Sequence, residues 1–262
     1  MHRALRLALV GALVVVLVVA GGVAVLLFQF TQVQPGSVEH AYRYELTLQP
    51  DATLTNVTVY VPLPVADGSS PVGAAVVSDS PLAELPANWT TRVVQTDSGP
   101  MLAVEVDRLP PRYVTRPQPQ PLPTGETPVT PTPGPTVTVL DAYHLTVELP
   151  ANRTIDTRTP LGSEPTLQPR EDARTVTCTG GVTGETTCAQ FETRLFATFD
   201  APANATTSLS VSYEGRNTWF AGGWTGNSFE QRFYAELAGP SQGWVVVPVD
   251  ERVGFGNYPT PE

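Results

Sequence analysis

Tyr42-Arg43-Tyr44-Glu45-Leu46-Thr47-Leu48 decides the fold class of this chain. Aromatic and aliphatic side chains occupy every second position with polar ones between, the period of a strand that buries one face. Working outward, Gln49-Pro50-Asp51-Ala52 supplies a turn. Asn56-Val57-Thr58-Val59-Tyr60-Val61 then repeats the alternation with its three valines on one side. Strand pattern returns at 74–78, 89–96, 101–107, 137–149, 174–178, 188–199, 207–214, 229–237 and 243–249, whereas 156–172 is irregular and polar. Asp97-Ser98-Gly99 turns two of these runs into a hairpin. Beyond residue 30 no window carries the 3.6-residue period of a helix. The sequence predicts an all-β region built as an Ig-like β-sandwich of one or two modules.

Residues 109–136 interrupt the pattern with ten prolines, including PQPQPLP and TPTPGPT. Proline lacks the backbone donor a ladder needs, so this stretch is read as an extended, polyproline-like connection. The resulting division places β-modules at 37–113 and 137–262, with a Pro/Thr-rich linker or loop at 114–136.

Residues 7–28, LALVGALVVVLVVAGGVAVLLF, contain no charged or polar side chain. As a helix they would span roughly 33 Å, enough for a hydrocarbon core of about 30 Å. Arg3 and Arg6 precede the run and the first acid is Glu39. Positive charge stays inside, which predicts a cytoplasmic segment 1–6, a transmembrane anchor 7–30, a stalk 31–36 and an extracellular remainder. A cleaved signal peptide with Gly22-Val23-Ala24 as its site is the rival. Its apolar region would normally end before Val25-Leu26-Leu27-Phe28.

All fifteen basic residues are arginine, against twenty-five Asp plus Glu. Setting aside Arg3 and Arg6 leaves 13 against 25, a formal −12 for the outer part. Such an excess repels itself at low salt, but at 1 M salt the Debye length is only about 3 Å. The lysine-free, carboxylate-rich composition resembles that of proteins from halophiles. It excludes nucleic acid as a partner, since that requires basic patches.

Cys178 and Cys188 flank Gly180-Gly181 and Gly184, with Thr/Val-rich strands on both sides. The spacing predicts a hairpin stapled by a disulfide in an oxidising compartment. Two thiols without a nearby His would leave a zinc site half empty. Pro-Ala-Asn-x-Thr occurs at 86–90, 150–154 and 202–206, each time at the edge of a strand. Proline fixes φ and Asn tolerates the left-handed region, so the repeat reads as a favoured turn. The same asparagines, Asn88, Asn152 and Asn204, are N-glycosylation sequons, and Asn56 is a fourth.

The chain has three histidines, His2, His40 and His144, and no nucleophile elbow, zinc-protease, phosphate-loop or calcium-loop pattern. No catalytic residue, cofactor or metal ligand is assigned. The most distinctive stretch is 215–227, GRNTWFAGGWTGN, where Arg216, Asn217, Trp219, Phe220 and Trp224 could form an exposed binding surface. The competing reading makes the tryptophans core plugs. The expectation is a single-pass surface protein that binds or associates with envelope proteins or glycans. The alternatives are an accessory subunit of a membrane complex and an extracytoplasmic Asp/Glu hydrolase.

Overall fold

The computed structural model describes residues 22, 33–34, 36–78, 80–117, 136–178, 186–258 and 260. Apart from Gly22, the apolar run 7–28 lies outside them, as do the turn between the cysteines and residues 118–135. Among the described residues no helix is long and apolar enough to cross a membrane.

The fold is nearly all β. Glu39–Pro50 (β1) and Leu54–Val65 (β2) lead to a short helix, Pro71–Val77 (α1). Ala83–Glu84 (β3), Thr90–Thr96 (β4), Gly99–Leu109 (β5) and Arg112–Pro117 (β6) follow, then Thr136–Asp141 (β7), Tyr143–Pro150 (β8), Thr166–Gln168 (β9) and Glu171–Val176 (β10). Four long strands complete the chain: Thr187–Asp200 (β11), Thr206–Phe220 (β12), Trp224–Ala238 (β13) and Ser241–Gly256 (β14).

Ten strands form one path, β3-β8-β1-β12-β13-β14-β11-β2-β5-β4, while β10 adds to β11 and β9 to β2. The sheet curls until its halves face each other like a sandwich. Four strands separate β1 from β2 along it, yet the Tyr44 hydroxyl of β1 donates to the Pro62 carbonyl of β2 at 3.1 Å. Period-two alternation fills the interior: Tyr44, Leu46 and Leu48 of β1 meet Val57, Val59 and Val61 of β2 in a single core. Strands from both sides of the Pro-rich stretch are interleaved in it, since β1 pairs with β8 and β12, and β2 with β11.

Residues 74–78, read as a strand, are the last four residues of helix α1 and its C-cap, Ser78. Ser70 caps the helix by accepting from the Gly73 amide, and Pro71 occupies its first turn, where a missing amide costs nothing. Val72, Ala75 and Val76 are buried, and the helix touches β2, β4 and β8. It thus fills the seam where the two margins of the curled sheet approach. The run 137–149 is two strands: β7 turns back on β6, and β8 joins the main sheet.

The register gives the molecule two ends. At one, which we call the near end, lie the start of β1, the β12–β13 turn and the finish of β14. Here Gln34 donates its amide to the Phe220 carbonyl at 2.8 Å. At the far end Asp51 exchanges hydrogen bonds with the Thr206 backbone, and the β6–β7 hairpin departs from the main sheet after Leu109 and returns before Tyr143. Pro117 and Thr136 therefore pair at the tip of a far-end arm.

Cys178 and Cys188 are joined, with sulfurs 2.07 Å apart, across the β10–β11 hairpin, where Val176 pairs with Cys188. Replacing both cysteines with serine is expected to cost about 2–3 kcal/mol, the entropy regained by so short a loop on unfolding. Denaturant unfolding of the double variant at fixed salt measures it. Equal midpoints would show that β10 is held by its ladder alone.

Candidate functional site

The strongest concentration of buried polar groups lies inside the near end. Asn217 of β12 faces Asn227 of β13, and Gln231 of β13 faces Glu251 of β14, all on inward positions. The Asn217 side chain treats the backbone of Ile155 as a strand would. Its Oδ1 accepts from the Ile155 amide at 2.9 Å and its Nδ2 donates to the Ile155 carbonyl at 2.9 Å. Its second donor reaches Asn227 Oδ1 at 2.7 Å, and His40 Nδ1 donates to its oxygen at 2.7 Å. Asn227 also accepts from the Thr157 hydroxyl and donates to the Asn257 carbonyl and the Thr260 hydroxyl. Both amides use their full hydrogen-bonding capacity.

Gln231 continues the ladder by accepting from the Leu167 amide at 2.7 Å and donating to Glu251 at 2.7 Å. Arg170 grips both Glu251 oxygens, at 2.8 and 2.5 Å, with its guanidinium 4.2 Å from the Phe191 ring centre. Glu164, whose side chain is fully buried, takes both guanidinium donors of Arg153 at 2.7 Å, the Asp156 amide and the Tyr42 hydroxyl. Burial first, and the Glu164 carboxylate second, hold the Tyr42 phenol above its usual range. These contacts seat residues 151–170 across the mouth of the curl, and β9 ties the same segment to β2. The polar cluster closes the fold; each group in it is committed to a partner.

The residues read as a binding surface separate accordingly. Asn217 and Trp219 point inward and are buried, as the core reading of the tryptophan anticipates. Arg216 points outward and pairs with Glu148 at 2.5 Å. Phe220 and Trp224 flank the β12–β13 turn with ring centres 5.9 Å apart, and Trp224 is 67 % exposed. The stretch is a hairpin of two long strands rather than an open loop. Its glycines permit close approach: a Cβ on Gly215 would stand 2.3 Å from the Phe229 ring, and one on Gly226 would stand 2.3 Å from the Asn217 carbonyl oxygen. The signal missed was parity. Leu209, Val211, Tyr213, Asn217 and Trp219 occupy alternate positions of one strand, so Asn217 shares the core face.

Two outer surfaces remain. A groove of ≈ 870 Å³ crosses β8, β1 and β12 near the short β3, lined by His40, Arg43, Glu84, Glu148 and Arg216 among others. Its mixed charges suit polar contacts with a peptide or glycan better than proton transfer. On the opposite part of the sheet Tyr60, Phe196 and Trp244 form a row, with ring centres 5.0 Å apart for the first pair and 5.4 Å for the second.

Glu214 stands directly opposite Glu230 on the outer face of β12–β13. Burial, reinforced by Glu230 and partly offset by Arg216, Ser228 and Arg43, holds its carboxyl above the ordinary range. A raised carboxyl contributes stability that is present at acid pH and lost as pH rises through its folded value. Glu214→Gln is therefore expected to raise the melting temperature at pH 7 and to lose that advantage below about pH 4, the usual glutamate range. Thermal melts across that window decide it. A variant less stable than the parent at pH 7 would contradict the assignment.

The sequons all lie on exposed positions. Asn88 and Asn204 sit in matching turns, closed by Trp89 to the Pro86 carbonyl at 3.0 Å and by Ala205 to the Pro202 carbonyl at 2.9 Å. Asn56 has φ 53° beside an irregularity in the ladder and donates its Nδ2 to Asp200 at 2.7 Å. Asn56, Asn88 and Asn204 cluster toward the far end and Asn152 toward the near one. Neither a known family, nor a curated protein, nor a solved structure matches this chain.

Proposed function

We propose that this chain is a single-pass surface protein of a halophile, with its N-terminus inside and an Ig-like β-module displayed outside. In this reading the module works by binding or structural association at the envelope. The observation that carries it is the polarity of the fold. The chain enters at Gln34, six residues after the apolar run ends, and three of four sequons lie toward the opposite end. An anchor at one end and glycans at the other match a module standing on a membrane. Alkaline carbonate extraction of membranes tests the anchor. The full chain should stay with the bilayer, and a variant with charged residues at Val15 and Val18 should be released. Release of the unaltered chain would contradict the proposal.

The acidic surface belongs to the same reading. Between about 0.1 M and 1 M salt the Debye length falls from about 10 Å to about 3 Å, so repulsion among the carboxylates should fade. The melting temperature is expected to rise steeply with sodium chloride over this range. A flat dependence would remove the halophilic assignment.

A second reading, as an accessory subunit of an envelope complex, is favoured by the outer row of Tyr60, Phe196 and Trp244. Trp244 and neighbouring Val246 are both about half exposed there, and apolar surface of that kind suits a protein partner. Cross-linking in intact cells at high salt distinguishes the two. A stoichiometric membrane partner identifies a subunit, and recovery alone identifies a free-standing module.

A further inference from the structure

The near end is not only where the chain enters; its rim differs from the rest of the surface. Three described stretches meet there: 33–34 with 36–38, the β12–β13 hairpin tip within 217–229, and 253–258. None of the three contains a charged residue, although 15 % of the chain is charged and the outer part is strongly acidic. Trp224 is 67 % exposed, Phe255 41 % and Val33 36 %, which places large apolar side chains at the water boundary. The turn carrying Trp224 is tightly made, with Gly222 at φ 73° and the Ala221 amide bonded to the Gly223 carbonyl at 2.9 Å. Its uncharged apex is held out rigidly by two fifteen-residue strands.

The stalk is tied to this hairpin. Besides the bond from Gln34 to Phe220, the Phe220 amide donates to the Ser37 hydroxyl at 3.0 Å. Gln34 is only the sixth residue after Phe28, a reach of at most about 20 Å when fully extended. The aromatic tip is therefore confined close to the bilayer surface. Trp and Phe carry their apolar bodies into the interfacial layer, and an exposed Trp with a polar N–H suits that boundary. The neighbouring loop brings Arg153, Asp156 and Arg158 to the same end. Arg153 is held by Glu164, Arg158 lies 4.0 Å from the Tyr258 ring centre and Arg252 lies 5.7 Å from the Phe255 ring centre, so arginines flank the aromatic rim.

We propose that the rim formed by Phe220, Trp224 and Phe255 sits in the headgroup layer of the membrane that holds residues 7–28. The module then stands on the bilayer at a fixed tilt. It does not swing freely on its stalk. This rests on the anchored reading above, and its partner is the lipid interface.

The test uses the full chain reconstituted at high salt into phosphatidylcholine vesicles, with and without lipids brominated near the top of the acyl chain. Trp fluorescence quenching reads proximity, and carbonate extraction of the same vesicles reads anchoring separately. Trp89 and Trp219 are buried, so Trp224 and Trp244 are the tryptophans to compare. The parent should be quenched by the brominated lipid. Trp224→Leu should abolish most of that quenching, and Trp244→Phe, toward the far end, should leave it unchanged. Retention of the chain with equal quenching in the parent and Trp224→Leu would overturn the rim proposal while leaving the anchor intact. Release of the chain by carbonate with no quenching would overturn both. Circular dichroism and melting of Trp224→Leu confirm that the exposed tip can change without unfolding the sheet.

Discussion

Asn217→Leu is expected to lower the unfolding free energy by about 3–5 kcal/mol, a large share of the roughly 5–15 kcal/mol typical of a domain. Leucine preserves volume but makes no hydrogen bonds. The Ile155 amide and carbonyl, the His40 Nδ1 and one acceptor site on Asn227 would lose their partner together. Each buried group left unpaired costs about 1–3 kcal/mol, and the segment it seats, 151–170, would lift from the mouth of the curl. Chemical denaturation at fixed salt gives the loss. Hydrogen exchange at the Ile155 and Leu167 amides localises it. Asn217→Asp keeps the acceptor and loses the donor, so its effect should be smaller at low pH than at neutral pH. An Asn217→Leu variant as stable as the parent would show that the loop closes the fold without this ladder.

Glu251→Leu is expected to cost a comparable 3–5 kcal/mol, for an electrostatic reason. The Arg170 side chain is only 12 % exposed and both its bridging donors end on Glu251. Removing the carboxylate leaves a desolvated cation against the Phe191 ring and strips Gln231 of its acceptor. Truncating one member of a buried pair differs from replacing both. The double variant Arg170→Met with Glu251→Leu should recover most of the loss, because the charge and its partner leave together. Urea midpoints of the two singles and the double form a cycle that reads the coupling directly. A double variant no better than the worse single would place the cost in packing instead.

Most of the sheet was legible in the alternation of side chains, because one buried face imposes a period of two. Tyr42 to Leu48 and Asn56 to Val61 pointed to β1 and β2 with the correct inward residues. The cysteine spacing identified the β10–β11 hairpin. Helix α1 escaped because seven residues hold too few turns to establish a 3.6-residue period, and small apolar residues fit either pattern. The Ser70-Pro71 pair was its only local mark. How the strands associate could not be seen in the sequence. β1 pairs with β8 and β12, and partners so far along the chain leave no local trace.

The aromatic stretch shows the same limit at the level of single residues. Composition singled out Gly, Asn and Trp as if they were equivalent. A strict count of parity divides them, putting Asn217 and Trp219 on the core side and Arg216, Phe220 and Trp224 on the other. Likewise Gln231 lies between Phe229 and Phe233, and Glu251 follows Val247 and Val249, on buried positions. A polar residue at an inward position of a long strand signals a buried hydrogen-bond ladder. Which backbone it would serve depends on a loop that no periodicity describes.

The measurement that bears most directly on display at the cell surface is labelling of a single new cysteine in intact cells. Asp97, exposed in the β4–β5 turn, is changed to Cys, while Cys178 and Cys188 stay joined and unreactive without reductant. A membrane-impermeant maleimide should label Asp97→Cys in whole cells as fully as after lysis. Labelling that requires lysis would place the β-module inside the cell and contradict the account.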